Sequence, residues 1–196
     1  MNYPLSINFK ILALAPQVSV VDASGNMVCY VQQKLFKFKE HISVFRDNTK
    51  QQIFCEIKAD RIIDFSAFYQ FTDANGSVLG GIRRKGWRSI WKAHYEIVNE
   101  HNELIMTLHE ENPVAKMMDS LVGEVPVVGL FTGYMFNPKY LVTHTSGQDV
   151  MRVTKRRSFL ESSFQLDALV QGLDPVDELR ILMGTLMMIF LERARG

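Results

Sequence analysis

A chain of 196 residues, 47% hydrophobic and 22% charged, can bury one sizeable core and is too apolar for disorder to dominate. Its net charge of +1 creates no overall field toward polyanions, so nucleic acid is not an expected partner. Its two cysteines, Cys29 and Cys55, lack metal-ligand spacing, so buried free thiols in a reducing, cytoplasmic setting are expected.

Residues 1–25 read as an N-terminal strand segment, and the apolar run Ile11 to Ala15 lacks the length and basic flank of a secretory leader. Beyond it, period-two alternation recurs, which places successive side chains on opposite faces of a strand. Ile53, Cys55 and Ile57 alternate with Phe54, Glu56 and Lys58, and Tyr69 and Phe71 with Gln70 and Thr72, although Phe68 breaks the rule. Trp91, Ala93, Tyr95 and Ile97 form a third run, and Leu104, Met106 and Leu108 a fourth. Turn chemistry separates such runs at Asp22–Asn26, Asp73–Gly76, Asn99–Asn102 and Thr145–Gln148, where Asn and Gly tolerate the positive φ of tight hairpins. The pattern predicts a meander of hairpins in a single domain spanning 1–196.

Two segments depart from it. Pro113 to Val122 predicts a short helix, capped by Asn112 and stopped by Gly123. Asp174 and Pro175 open a second helix, in which only Gly184 and Thr185 interrupt large apolar residues from Ile181 to Leu191. A helix apolar on every side must be enclosed. Eleven residues rise roughly 16 Å against about 30 Å of hydrocarbon, and Asp177, Glu178 and Arg180 flank the run, so burial within a β layer is expected.

The stretch Tyr30 to Phe36 (YVQQKLF), followed by Ile42 to Asp47 (ISVFRD), resembles the LURP-one-related and phospholipid-scramblase-like group of the tubby C-terminal-like fold. Gly76 to Lys85 (GSVLGGIRRK) with Trp91 downstream, and the helix Leu179 to Leu191, carry the same resemblance, which runs from about Asn26 onward. It implies a mainly β chain: a closed antiparallel barrel of about twelve strands threaded by the C-terminal helix. No proline-rich extension of the scramblase kind is expected ahead of the resemblance, no acidic loop matches a calcium site, and no family site residue transfers by position.

The five histidines show no helical His-x-x-x-His spacing, neither cysteine has a nucleophile's surroundings, and no Lys-Ser/Thr pair follows Gly80-Gly81 or Gly129-x-x-x-Gly133. Catalytic residues, a metal and a cofactor are therefore not expected, and a hydrolase with an unrecognised site ranks third among the readings. Gly80 and Gly81 suit a bulge or a close strand approach. Arg83, Arg84, Lys85, Arg88 and Lys92 surround Trp87, and Arg152, Lys155, Arg156 and Arg157 form a second basic group. They read either as a solvated face with charged edge protection or as a surface for anionic lipid, with Trp87 at the interface. The uncharged run Val125 to Phe136 fits a buried strand pair, a contact with another protein or a second copy, or a membrane-dipping loop. The first reading is thus a non-enzymatic binding module for anionic lipid or a small ligand, cytoplasmic or peripheral to a membrane. The alternative is a protein-interaction or structural domain using Val125–Phe136.

Overall fold

The structure, a computed structural model, describes residues 1–10, 17–32, 41–60, 67–84, 94–111, 139–156 and 161–193. The expected helix at 113–122 and the run Val125–Phe136 lie outside these residues. The described chain forms twelve strands: β1 (Leu5–Lys10), β2 (Gln17–Val21), β3 (Met27–Gln32), β4 (His41–Phe45), β5 (Ile53–Ala59), β6 (Phe68–Asp73), β7 (Val78–Arg84), β8 (His94–Val98), β9 (Leu104–Glu110), β10 (Lys139–His144), β11 (Asp149–Arg156) and β12 (Glu161–Ala168). Among the described residues one helix, α1 (Pro175–Arg193), follows them. Every strand pairs antiparallel with its neighbours in sequence, and β1 closes on β12 from Leu5↔Leu166 to Lys10↔Glu161. The result is a closed barrel that leaves no free sheet edge. The N-terminal segment is part of the wall, since β1 and β2 are two of its staves.

One rim is built from a repeated turn. Asp22 Oδ1 accepts the amides of Ser24 and Asn26, both at 2.9 Å, and Asp73 Oδ1 accepts those of Asn75 and Ser77 at 2.9 and 2.8 Å. Asn99 Oδ1 does the same for His101 and Glu103 at 3.0 and 2.9 Å. A short polar side chain thereby replaces backbone partners that the reversing chain cannot offer. The fourth residue of each turn has positive φ, which is why Gly76 (84°) stands there, and Asn102 (63°) meets the same demand. Beside each turn the ladder slips by one residue, as between Ile97 and Val98 and between Phe71 and Thr72. The slip corrects a simple reading of the alternation: Ile53 and Leu104 head their apolar runs but sit 41% and 38% exposed, because the bulge turns them off the inner face.

Inside the barrel, Leu5, Ile7, Phe9, Val18, Val20, Cys55, Ile57, Phe71, Ile82, Ile97, Met106 and Leu108 converge on α1. From Ile181 to Phe190 the helix is buried on all sides, as expected of its composition. Asp174 Oδ1 caps it by accepting the Val176 amide at 2.8 Å, and Asp177 and Glu178 occupy its positive first turn. Arg180 fixes this end to the turn rim: its Nε donates to the Leu79 carbonyl at 2.5 Å, and its guanidinium meets Asp177 and Glu100. Gly184 lies where the helix comes nearest the wall, since a Cβ there would be 3.2 Å from Ile97 Cδ1. In β7, a Cβ at Gly81 would overlap the Phe68 ring at 2.5 Å, so the aromatic that breaks the alternation in β6 occupies the space the glycine leaves. Among the described residues, no helix is long and apolar enough to cross a membrane.

Candidate functional site at the helix-exit rim

Antiparallel order sends β1, β3, β5, β7, β9 and β11 toward the rim opposite the repeated turns, and α1 ends there too. Arg83 and Arg84 close β7, and Lys155 and Arg156 close β11, so these four share this rim, while Arg152 lies mid-strand opposite Leu141. Three strands separate β7 from β11, and four spacings of about 4.8 Å put the groups roughly 19 Å apart along the wall. Lys85, Trp87, Arg88, Lys92 and Arg157 lie outside the described residues.

The individual cations differ in their surroundings. Arg83 Nε donates to Glu96 Oε2 at 2.7 Å, with Glu96 only 9% exposed. Arg152 Nη2 stands 3.7 Å from Glu111 Oε1 on the outer wall, and Glu111 is buried. Arg156 shares that outer face with Arg152 and contacts Gln165, whose Nε2 donates to Asp167 Oδ1 at 2.5 Å. Lys155 has the inward parity of Met151 and Val153 and makes no ion pair among the described residues. Lys139, exposed at the start of the adjoining β10, extends this group. The adjoining ends of β10 and β11 thus hold three cations that make no ion pair among the described residues, whereas Arg83 and Arg152 face carboxylates.

A second set of polar residues lies on the inner wall of the same rim. Arg84 is directly opposite Tyr95, and Glu110 opposite Tyr140, each on the inward face of its strand. The fully buried Tyr95 donates its hydroxyl to Glu192 Oε1 at 2.6 Å, tying the last turn of α1 to β8. Burial raises the Tyr95 phenol well above its ordinary value, the Glu192 carboxylate raises it further, and the Arg84 charge offsets part of this. Tyr140 is raised in the same way, by burial first and then by Glu192 and Glu110. Both phenols therefore stay protonated, and that of Tyr95 serves as a donor. Phe9 packs edge-on against Phe164 and Phe190, at centroid separations of 5.9 and 5.7 Å, completing the seal around the helix end. Sequence reading missed this set because its members are unremarkable alone and only barrel closure joins Glu192 to Tyr95, 97 residues away.

The thiols of Cys29 and Cys55 face the core, and burial raises both, that of Cys55 to about 12. Neither is available as a thiolate nucleophile near neutral pH. Among the described residues, no group of three or more His, Cys, Asp or Glu is arranged to hold a metal.

A family model described as LURP-one-related matches residues 27–167, from the start of β3 to the penultimate residue of β12. The chain belongs to the LURP-one-related family. The closed barrel around a helix is consistent with the tubby-like and scramblase-like grouping of that family. Neither the comparison with curated proteins nor that with solved structures found a match. In this LURP-one-related barrel, β1, β2 and α1 lie outside the matched span yet complete the wall and fill its centre.

Proposed function

We propose that this LURP-one-related barrel is a binding module, not an enzyme, that turns its helix-exit rim toward an anionic surface such as a lipid headgroup layer. The observation that carries this reading is that Arg83 and Arg84 end their strand at the same rim as Lys139, Lys155 and Arg156, the last three clustered on two adjoining strand ends. A cation near an anionic leaflet contributes about 1 kcal/mol. Three give roughly 3 kcal/mol, weaker than millimolar binding, so a second anchor is required. The uncharged run Val125–Phe136 belongs to the connection between β9 and β10. The flanks of that connection meet at this rim, where the Glu111 amide donates to the Lys139 carbonyl at 2.8 Å. An apolar anchor and a basic group then act together.

Vesicles of phosphatidylcholine with and without an anionic lipid test the proposal by co-sedimentation. Binding should require the anionic lipid and fall as salt shortens the Debye length from about 10 Å at 0.1 M to about 3 Å at 1 M. Replacing Lys139, Lys155 and Arg156 with serine should remove most of it and leave the melting temperature almost unchanged. Binding that ignores salt, or survives the triple substitution, would transfer the role to an apolar contact with another protein through Val125–Phe136.

A further inference from the structure

On the outer wall of the helix-exit rim, His94 of β8 stands directly across from His109 of β9. Their rings face one another with centroids 6.1 Å apart and planes inclined by 27°. Both side chains are half-buried, so the pair is shielded on one side and reachable on the other. Directly opposed residues of an antiparallel pair have Cβ atoms about 4.5–5.5 Å apart. Two imidazoles so placed reach a common ion with nitrogen–metal distances of about 2.0–2.1 Å after small rotations about their side-chain bonds.

We propose that His94 and His109 form a two-imidazole site for a divalent transition ion that favours nitrogen ligands, copper(II) above zinc(II). The pair is 15 positions apart in the sequence and has no helical spacing, so only the β8–β9 register assembles it. Glu96 lies two residues along β8 from His94, and Glu111 lies just past the end of β9, two residues after His109. Each carboxylate already faces an arginine, Arg83 at 2.7 Å and Arg152 at 3.7 Å. With that charge met by arginine they are not ligands, and the described residues supply two ligands, with water completing the coordination. Such a site ranks ions by the Irving–Williams order, so copper(II) binds most tightly and zinc(II) next. Coordination uses the lone pair of one ring nitrogen from each imidazole. Bridging two adjacent strands, the ion clips the rim ends of β8 and β9 together and stabilises the barrel by an amount that grows with the logarithm of its free concentration above Kd.

The test is titration of the whole chain with copper(II) and, separately, zinc(II), followed by calorimetry and by electron paramagnetic resonance of the one-equivalent copper form. The expected result is one ion per chain, a copper spectrum with two coordinated imidazole nitrogens, and a melting temperature raised by zinc. His94→Asn and His109→Asn should each weaken binding at least tenfold and reduce the spectrum to one imidazole, while His101→Asn and His144→Asn leave both readouts unchanged. His94→Gln serves as a second variant should the asparagine substitution lower the metal-free melting temperature. Absence of 1:1 binding, or a signal that follows His101 or His144, would overturn the assignment.

Discussion

Gly80→Ala should be among the most damaging single-methyl additions available to this barrel. Gly80 has φ of 130°, and an added Cβ would sit 2.1 Å from the Val98 carbonyl oxygen and 3.0 Å from the Asn99 carbonyl carbon. Both obstacles are backbone, so no side-chain rotation relieves them. Restoring an ordinary contact demands a shift of about 1 Å between β7 and β8, whose ladder spacing is only about 4.8 Å. Two costs combine: about 1–3 kcal/mol for an L-residue at this φ, and about 1–3 kcal/mol for amides and carbonyls pulled from their partners. The internal comparison is Gly76→Ala. Gly76 also has positive φ, 84°, but nothing lies within 4 Å of its added Cβ, so only the conformational cost applies. Gly80→Ala should therefore lose about 2 kcal/mol more than Gly76→Ala. At about 2–4 °C per kcal/mol for a domain of this size, the two melting temperatures should differ by roughly 4–8 °C. Urea unfolding at fixed pH and parallel thermal melts give the two values. Equal losses in the two variants would show that the close approach of β7 and β8 is not a constraint.

Leu186 is fully buried at the centre of α1, so Leu186→Asp would place an unpaired carboxylate in the core and should abolish soluble expression; soluble protein with an unchanged melting temperature would contradict the central role of the helix. Tyr95→Phe removes the donor to Glu192 and should cost about 1–2 kcal/mol while speeding amide hydrogen exchange in the last turn of α1, with no change expected near Arg180. Stability should also fall in alkali. The folded-state values of Tyr95, Tyr140, Cys29 and Cys55 are raised, so these groups ionise first in the unfolded chain. Their contribution is complete below about pH 8.5, where unfolded thiols begin to ionise, and is lost as pH climbs through 10 and beyond. The urea midpoint should drop between pH 8 and pH 10.5, and less so in Tyr95→Phe; a flat profile would mean these groups are not shielded in the folded protein.

Much of the architecture was legible because two of its signals are strong and local. The all-round apolar stretch from Ile181 to Phe190 admitted either enclosure or a membrane, and its length and flanking charges favoured enclosure, as found. Turns such as Asp73–Gly76 were legible because a side-chain cap followed by positive φ leaves a recognisable order of residues. Alternation read correctly in mid-strand, at Cys55 and Ile57 or at Met106 and Leu108, and failed at Ile53 and Leu104. A bulge shifts the register by one without altering composition, so no residue type announces it. Basic groups were visible as runs of Lys and Arg, but not their neutralisation: Glu96 meets Arg83 only because β7 and β8 pair in one register. The Tyr95–Glu192 contact and the His94–His109 pair left no sequence signature, since each depends on a pairing between segments that either side alone does not specify.

The order in which the wall and its filling appear along the chain bears on how the protein is made. All twelve staves precede α1, and the last of them supplies the partner that β1 needs to close the ring. During synthesis on the ribosome, β1 therefore waits through about 150 residues for β12, and the inner faces of every stave wait longer still for the helix. A nascent chain at that stage is a curling ribbon of hairpins with a greasy concave side and two unpaired margins, the form most open to joining another copy. The tight turns at one rim are the countermeasure that translation itself permits. Each Asp- or Asn-capped reversal completes within a few residues, so every hairpin can zip as it emerges, and only the final closure around the helix is postponed to the end.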